Sequence, residues 1–379
     1  MALIPLVNRL QFDFGAIALL GSELELLGIT RPLIVTDKGV VGAGISDRVR
    51  AHIPDGLAVA FYDGTPANPT EAAVREATAL FRQHDCNGLI AIGGGSPMDL
   101  AKGVALAATH DATSLFEFSA VQGGLAKISN RCAPVVAIPT TAGTGSEVSR
   151  GGVIIMDNGA KLAIGSPFLI PRAAICDPEL TLGLPAAVTA GTGMDAIAHC
   201  IEAYCVDMAS PPVDAIALDG LTRAWNHLER AVRDGGDRQA RWEMMMAASE
   251  GALGFNKGLG AVHALSHPTG ALKGLHHGTL NAVYLPEVVR FNAPVLGERL
   301  GGLGRAMGLP AGEHNADGIA QAIRELNARI GIPAGLGAMG VSEADASGIA
   351  EAATRDHTHF QNPRRATADE YRQIVLASL

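Results

Sequence analysis

Four of the twelve histidines fall within 258–278, in GLGAVHALSHPTGALKGLHHG. His263 and His267 are four residues apart, so on a helix both imidazoles leave the same face. Pro268 biases His267 away from helical dihedrals, which predicts a helix that ends or kinks there and a chain that folds back to bring His276 and His277 alongside. Upstream, in GTGMDAIAHCIEAY, Asp195 and His199 repeat the spacing of four. One carboxylate with several imidazoles is a mixed nitrogen and oxygen donor set, better suited to iron or zinc than to calcium or magnesium. An Asp and a His at this spacing also form an ordinary local pair. The histidine cluster alongside favours the metal.

Two glycine-rich stretches suggest a nucleotide. Ile90-Ala91-Ile92 runs into Gly93, Gly94, Gly95, Ser96, Pro97, Met98 and Asp99, and a helical pattern follows. Glycines between a buried strand and a helix let the backbone turn sharply and leave N–H groups where a pyrophosphate can sit. The stretch is not G-x-G-x-x-G, and alone it reads equally as a tight turn. A second loop, PTTAGTGSE, also follows a strand and offers Thr140, Thr141, Thr144 and Ser146. Two such loops at strand C-termini match the ligand-binding end of an open α/β sheet. Asp37 closes an earlier strand, where a carboxylate accepts from a ribose diol and repels a 2′-phosphate. That favours NAD over NADP, with a plain turn or cap residue as the competing reading.

These loops need a scaffold, and the first half of the chain supplies its pattern. Apolar runs at 32–37, 57–63, 88–96, 134–141 and 173–177 read as buried strands, and 70–85 and 96–110 read as helices between them. Such alternation predicts a parallel sheet covered by helices. Asp157-Asn158-Gly159 marks a hairpin across 151–166. Beyond residue 182 the texture becomes Ala- and Leu-rich, with helices expected at 186–206, 211–233, 238–255, 279–292, 296–307, 315–330 and 342–354. The expected organisation is an α/β dinucleotide-binding domain over 1–182 and an all-α metal-binding domain over 183–379, with a cleft between them.

Composition narrows the class. At 379 residues, 48% hydrophobic and 18% charged, the chain is globular, and a net charge of −9 without a basic run argues against nucleic acid or an anionic membrane as partner. The five cysteines show no C-x-x-C spacing and read as reduced thiols. With no leader pattern and no long apolar span, a cytoplasmic protein is expected. His52, His84, His110, His227 and His314 are expected at the surface or at caps, and Met244, Met245 and Met246 as core filling.

The motifs GGGSPMDLAK (93–102), IPTTAGTGSEVS (138–149), GMDAIAHCIEAY (193–204), GAVHALSHPTGA (260–271), HHGTLNAVYLP (276–286) and NPR (362–364) resemble those of the iron-containing, group III alcohol dehydrogenases, within the dehydroquinate synthase-like superfamily. The matches keep their order across nearly the whole chain. By resemblance, Asp195, His199, His263 and His277 are the metal ligands and His267 is a non-ligating histidine near substrate and cofactor. His276 has no ligand counterpart. Fe2+ is the implied metal, Zn2+ being possible on affinity grounds. The implied reaction is hydride transfer between an alcohol, or its aldehyde or ketone, and NAD(H), by a homodimer or larger homo-oligomer. His267 is expected to relay the hydroxyl proton. Arg150, Gly151, Gly152, Phe255, Asn256, Thr358 and His359 are pocket candidates by their position beside the motifs; Arg150 would suit a carboxylate-bearing aldehyde, against the commoner reading of a surface or structural arginine. Two other classes compete: an NAD- and metal-using lyase or cyclase of the dehydroquinate synthase type, and a non-catalytic NAD-binding scaffold.

Overall fold

In the computed structural model, which describes residues 8–111, 113–119 and 122–379, the apolar runs of the first half become strands β1 (Arg9–Phe12), β2 (Pro32–Val35), β3 (Ala60–Tyr62), β4 (Gly88–Gly93), β5 (Val135–Pro139) and β8 (Ala173–Cys176). They form one parallel sheet in the order β1-β8-β5-β4-β2-β3. Its side chains alternate between two cores. Leu33, Val35, Leu89, Ala91, Val135 and Ala137 face one layer with α4 (Glu71–Gln83) and α5 (Gly95–Ala107). Ile34, Ile90, Ile92, Val136 and Ile138 face the other, with α1 (Leu20–Leu26), α2 (Lys38–Gly42) and α3 (Ile45–Arg50). Burial on both faces explains why these strands read as unbroken apolar runs.

The strand order locates the ligand end of the sheet. β2 has β3 on one side and β4 on the other, so the chain reverses direction across the sheet between β2 and β4. Open α/β sheets bind ligands at the carboxyl ends flanking such a switch. Asp37 follows β2 there, and Gly94 follows β4. The Asp157-Asn158-Gly159 turn joins β6 (Gly151–Ile155) to β7 (Lys161–Gly165) as an antiparallel hairpin, with Gly159 at φ 81°.

The second compact unit, Leu184–Leu379 with Ala142–Thr144, is helical. Its helices are α6 (Ala186–Cys205), α7 (Pro211–Arg233), α8 (Arg238–Phe255), α9 (Ala261–Lys273), α10 (His277–Leu296), α11 (Arg299–Ala306), α12 (Ala316–Arg329), α13 (Glu343–Ala353) and α14 (Ala368–Ala377). Almost all of α6 is buried, which fits its lack of a polar stripe, and α7, α8 and α10 pack around it.

Two expectations need correcting, the first only in its helix end and not in the kink that was its alternative. α9 does not end at His267 but continues through Pro268 to Lys273, where Gly274 at φ 67° terminates it. Proline removes one backbone donor, and here packing of the buried helix outweighs that loss. His110 is not a surface histidine. It is buried, bonded through Nε2 to Ser129 and set edge-on to Phe118.

α6 and α10 meet glycine to glycine. A Cβ on Gly278 would stand 2.1 Å from the Gly191 carbonyl oxygen and 3.0 Å from the Asp195 Cβ. The contact admits no side chain, and it sets His277 beside Asp195. Gly278→Ala is expected to destabilise the helical unit by about 1–3 kcal/mol, as overpacking does. A lowered midpoint in chemical denaturation, together with reduced bound metal, checks this.

Candidate metal centre and cofactor loops

Three elements of the helical unit converge on one atom. Asp195 and His199 lie a turn apart on α6, His263 lies in the first turn of α9, and His277 is the first residue of α10. The Nε2 atoms of His199, His263 and His277 stand 3.5, 3.7 and 3.7 Å from Asp195 Oδ1. Tetrahedral bonds of about 2.0–2.2 Å set ligand separations of roughly 3.3–3.6 Å, so the spacing fits a divalent metal. Ligand atoms of Asp195, His263 and His277 lie within 4.8 Å of one another. His199 stacks on His263 at 4.9 Å and meets the Phe255 ring edge-on. Asn281 Nδ2 donates to Asp195 Oδ1 at 2.7 Å and stands 3.2 Å from the Nε2 atoms of His263 and His277.

The electrostatics favour a cation. Burial opposes ionisation of Asp195, yet the imidazoles of His199, His277 and His263 hold its carboxyl well below the usual range. Burial lowers His199 to about 4 against the pull of Asp195, which keeps it a neutral donor. Burial would lower His263 too, but the carboxylates of Glu202 and Asp195 raise it to about 10. Without a metal, His263 therefore carries the compensating charge.

Glu202 escaped the sequence reading. It shares α6 with Asp195 and His199, one further turn along. Its Oε2 accepts from His263 Nδ1, and its Oε1 accepts from the Val262 N–H at 2.8 Å. This carboxylate fixes the tautomer that turns His263 Nε2 toward Asp195. The spacing 195, 199, 202 was the available signal. Asn281, four residues after His277, was missed for the same reason.

The remaining histidines separate from this centre. His267 stacks on His277 at 5.3 Å and bonds through Nδ1 to Asp356 Oδ2 at 2.8 Å. His276 caps α10, its Nδ1 facing the Thr279 N–H and hydroxyl. Thr358 is buried and donates to Asp356, while His359 is buried against the Tyr371 hydroxyl.

In the sheet unit, Gly93 takes φ 149° where a Cβ would stand 2.6 Å from Pro97. Gly94 is the N-cap of α5 and brings no side-chain acceptor, so the first-turn N–H groups suit a pyrophosphate. Thr140 N–H bonds the Gly93 carbonyl, and Thr141 Oγ1 lies beside Gly94. Ser96 instead donates to the Ala67 carbonyl. Asp37 Oδ1 caps α2 through Val40 N–H. Asp99 and Ser146 turn inward: Asp99 accepts from Ser146 and from Val153 N–H, and Lys102 reaches Ser146, Ser149 and the Gly151 carbonyl. Burial raises the Asp99 carboxyl against Lys102, and it lowers the Lys102 amine to about 8. Both residues brace the loop from within, and Gly152 packs against Asp99.

Comparison with known proteins accounts for the whole pattern. The family description "Iron-containing alcohol dehydrogenase" matches residues 8–178, and "Fe-containing alcohol dehydrogenase family, C-terminal" matches residues 189–379. The chain belongs to the iron-containing alcohol dehydrogenase family. It is 53% identical to a 4-hydroxybutyrate dehydrogenase of Cupriavidus necator, with 100% of each chain covered. It superposes on a solved 1,3-propanediol oxidoreductase with a TM-score of 0.94 at 36% identity, covering 100% of both chains. A sulfoacetaldehyde reductase of Bifidobacterium kashiwanohense, solved with NAD+, gives 0.89 at 27% identity, covering 100% of this chain and 98% of that one. The protein is thus an NAD-dependent oxidoreductase acting between alcohols and carbonyls, and the family implies a metal. The lyase alternative is not favoured.

Glu202→Gln is expected to weaken metal affinity roughly 10- to 100-fold, as loss of such supporting carboxylates does; competition with a chromophoric chelator measures it. Loading metal into chelator-treated protein is expected to release about one proton at neutral pH, because His263 must become neutral to ligate. Affinity should therefore climb with pH until about 10, where that proton is already gone. Calorimetry in buffers of different ionisation enthalpy reads the proton count.

Proposed function

We propose that Asp195, His199, His263 and His277 hold the divalent metal, ferrous iron by kinship, and that the substrate is a short ω-hydroxy acid such as 4-hydroxybutyrate. The observation that carries the metal assignment is the placement of three Nε2 atoms 3.5–3.7 Å from one carboxylate oxygen. The substrate assignment rests on the full-length likeness to a 4-hydroxybutyrate dehydrogenase. When bound, the cation supplies Lewis-acid polarisation of the substrate oxygen and NAD supplies the hydride acceptor.

The chain's own residues do the rest. Asp356 accepts at His267 Nδ1, which leaves Nε2 as the atom that takes the hydroxyl proton and passes it to solvent. Gly94 and the first turn of α5 receive the pyrophosphate, with Thr140 and Thr141 shaping the loop. Asp37 selects NAD by repelling a 2′-phosphate. Arg150, exposed after the GTGSEVS segment, is the cation assigned to the substrate carboxylate. Phe255, edge-on to His199, gives the site an apolar wall. All five cysteines are free and buried, which fits a reducing cytoplasm. No described helix is long and apolar enough to cross a membrane.

The test compares kcat/KM for 4-hydroxybutyrate and 1-butanol with NAD. Wild type is expected to favour the acid at least tenfold. Arg150→Ala should raise KM for the acid alone, and equal use of both substrates by wild type would remove the hydroxy-acid assignment. His267→Ala should lower kcat roughly 100-fold or more with bound metal unchanged, the scale of lost acid–base assistance.

A further inference from the structure

A second cluster of metal-binding side chains stands beside the first. His267 Nδ1 lies 2.8 Å from Asp356 Oδ2, and His357 Nδ1 lies 3.5 Å from Asp356 Oδ1. Ligand atoms of the three residues all fall within 4.8 Å of one another. The two imidazoles stack at 5.9 Å with 15° between their planes. Their positions are fixed by structure around them. Asp356 caps the 3-10 turn His357–Gln361, where its Oδ1 accepts from the Thr358 N–H and hydroxyl at 2.8 and 2.7 Å. His267 is held by α9 and by its stack on His277. Solvent reaches the group, since the His357 side chain is 43% exposed.

Two imidazoles and a carboxylate are a borderline donor set that prefers zinc and its neighbours over calcium or magnesium. Tetrahedral zinc asks for ligand separations of roughly 3.3–3.6 Å; His357 Nδ1 and Asp356 Oδ1 stand at 3.5 Å, and the His267–Asp356 pair, hydrogen-bonded at 2.8 Å, widens when the cation replaces its proton. We propose that His267, Asp356 and His357 form a second divalent-cation site, filled reversibly by zinc, whose occupancy arrests turnover. Binding exchanges the proton shared by His267 Nδ1 and Asp356 for the cation, and the proton leaves to solvent. It also locks the His267 ring and commits the atoms that orient it. The arrest rests on the relay role proposed for His267; the binding does not.

The test uses the iron-loaded enzyme dialysed against increasing zinc, with iron and zinc both counted by elemental analysis and turnover measured in parallel. Wild type is expected to take up about one zinc while keeping its iron, and to lose activity over the same zinc range, with recovery on adding citrate. His357→Ala, at an exposed position outside the proposed catalytic set, should keep the basal rate and require at least tenfold more zinc for both effects. Absence of the extra zinc, replacement of iron by zinc one for one, or identical curves for wild type and His357→Ala would overturn the site. Uptake with undiminished turnover would uphold the binding and overturn the arrest, and with it the relay assigned to His267.

Discussion

The helical unit is built around the anion on Asp195, a buried carboxylate that three imidazoles face. Such a charge away from water demands compensation, which a proton on His263 provides and which a divalent cation held as proposed would provide in its place. Everything nearby serves that choice. Glu202 sets the His263 tautomer, Asn281 donates to Asp195, and the glycine contact between α6 and α10 brings His277 within reach. Most polar atoms in the arrangement are partnered, the exceptions being His199 Nδ1 and Asn281 Oδ1, which are buried without a hydrogen-bond partner.

The sheet unit solves a different problem. A pyrophosphate must approach backbone N–H groups closely, which excludes side chains at the approach and leaves the loop short of contacts of its own. Asp99, Ser146 and Lys102 join α5 to the hairpin and the loop before it through buried and half-buried hydrogen bonds. Asp99 and Ser146, which the motifs place with the cofactor, bond to each other, and Asp99 accepts from the Val153 N–H.

Much of this was legible from the residues. The unbroken apolar runs at 88–96 and 134–141 and the Asp-Asn-Gly turn pointed to the sheet and hairpin, because burial on both faces and local turn chemistry decide them. Spacing pointed to a cluster of Asp195 with the histidines, which the structure brings together, while the choice of His277 over His267 as a ligand came from the family resemblance. What stayed hidden depended on tertiary packing. Pro268 reads as a helix stop, yet α9 runs through it because buried neighbours sustain the helix. His110 looks like a loop histidine until Ser129 and Phe118 enclose it. Asp356 and His357 sit far from the histidine cluster in sequence, and only the fold brings them to His267.

Asp195, His199 and Glu202 ride on a single rod, α6, which crosses the middle of its unit. Of the four proposed donors, Asp195 and His199 leave together if that helix opens, whereas His263 and His277 stand on α9 and α10. Fraying or slippage of that rod withdraws two donors and the prop behind a third in the same motion. With the ligands proposed above, the time an ion stays bound would therefore depend on how often this one segment opens.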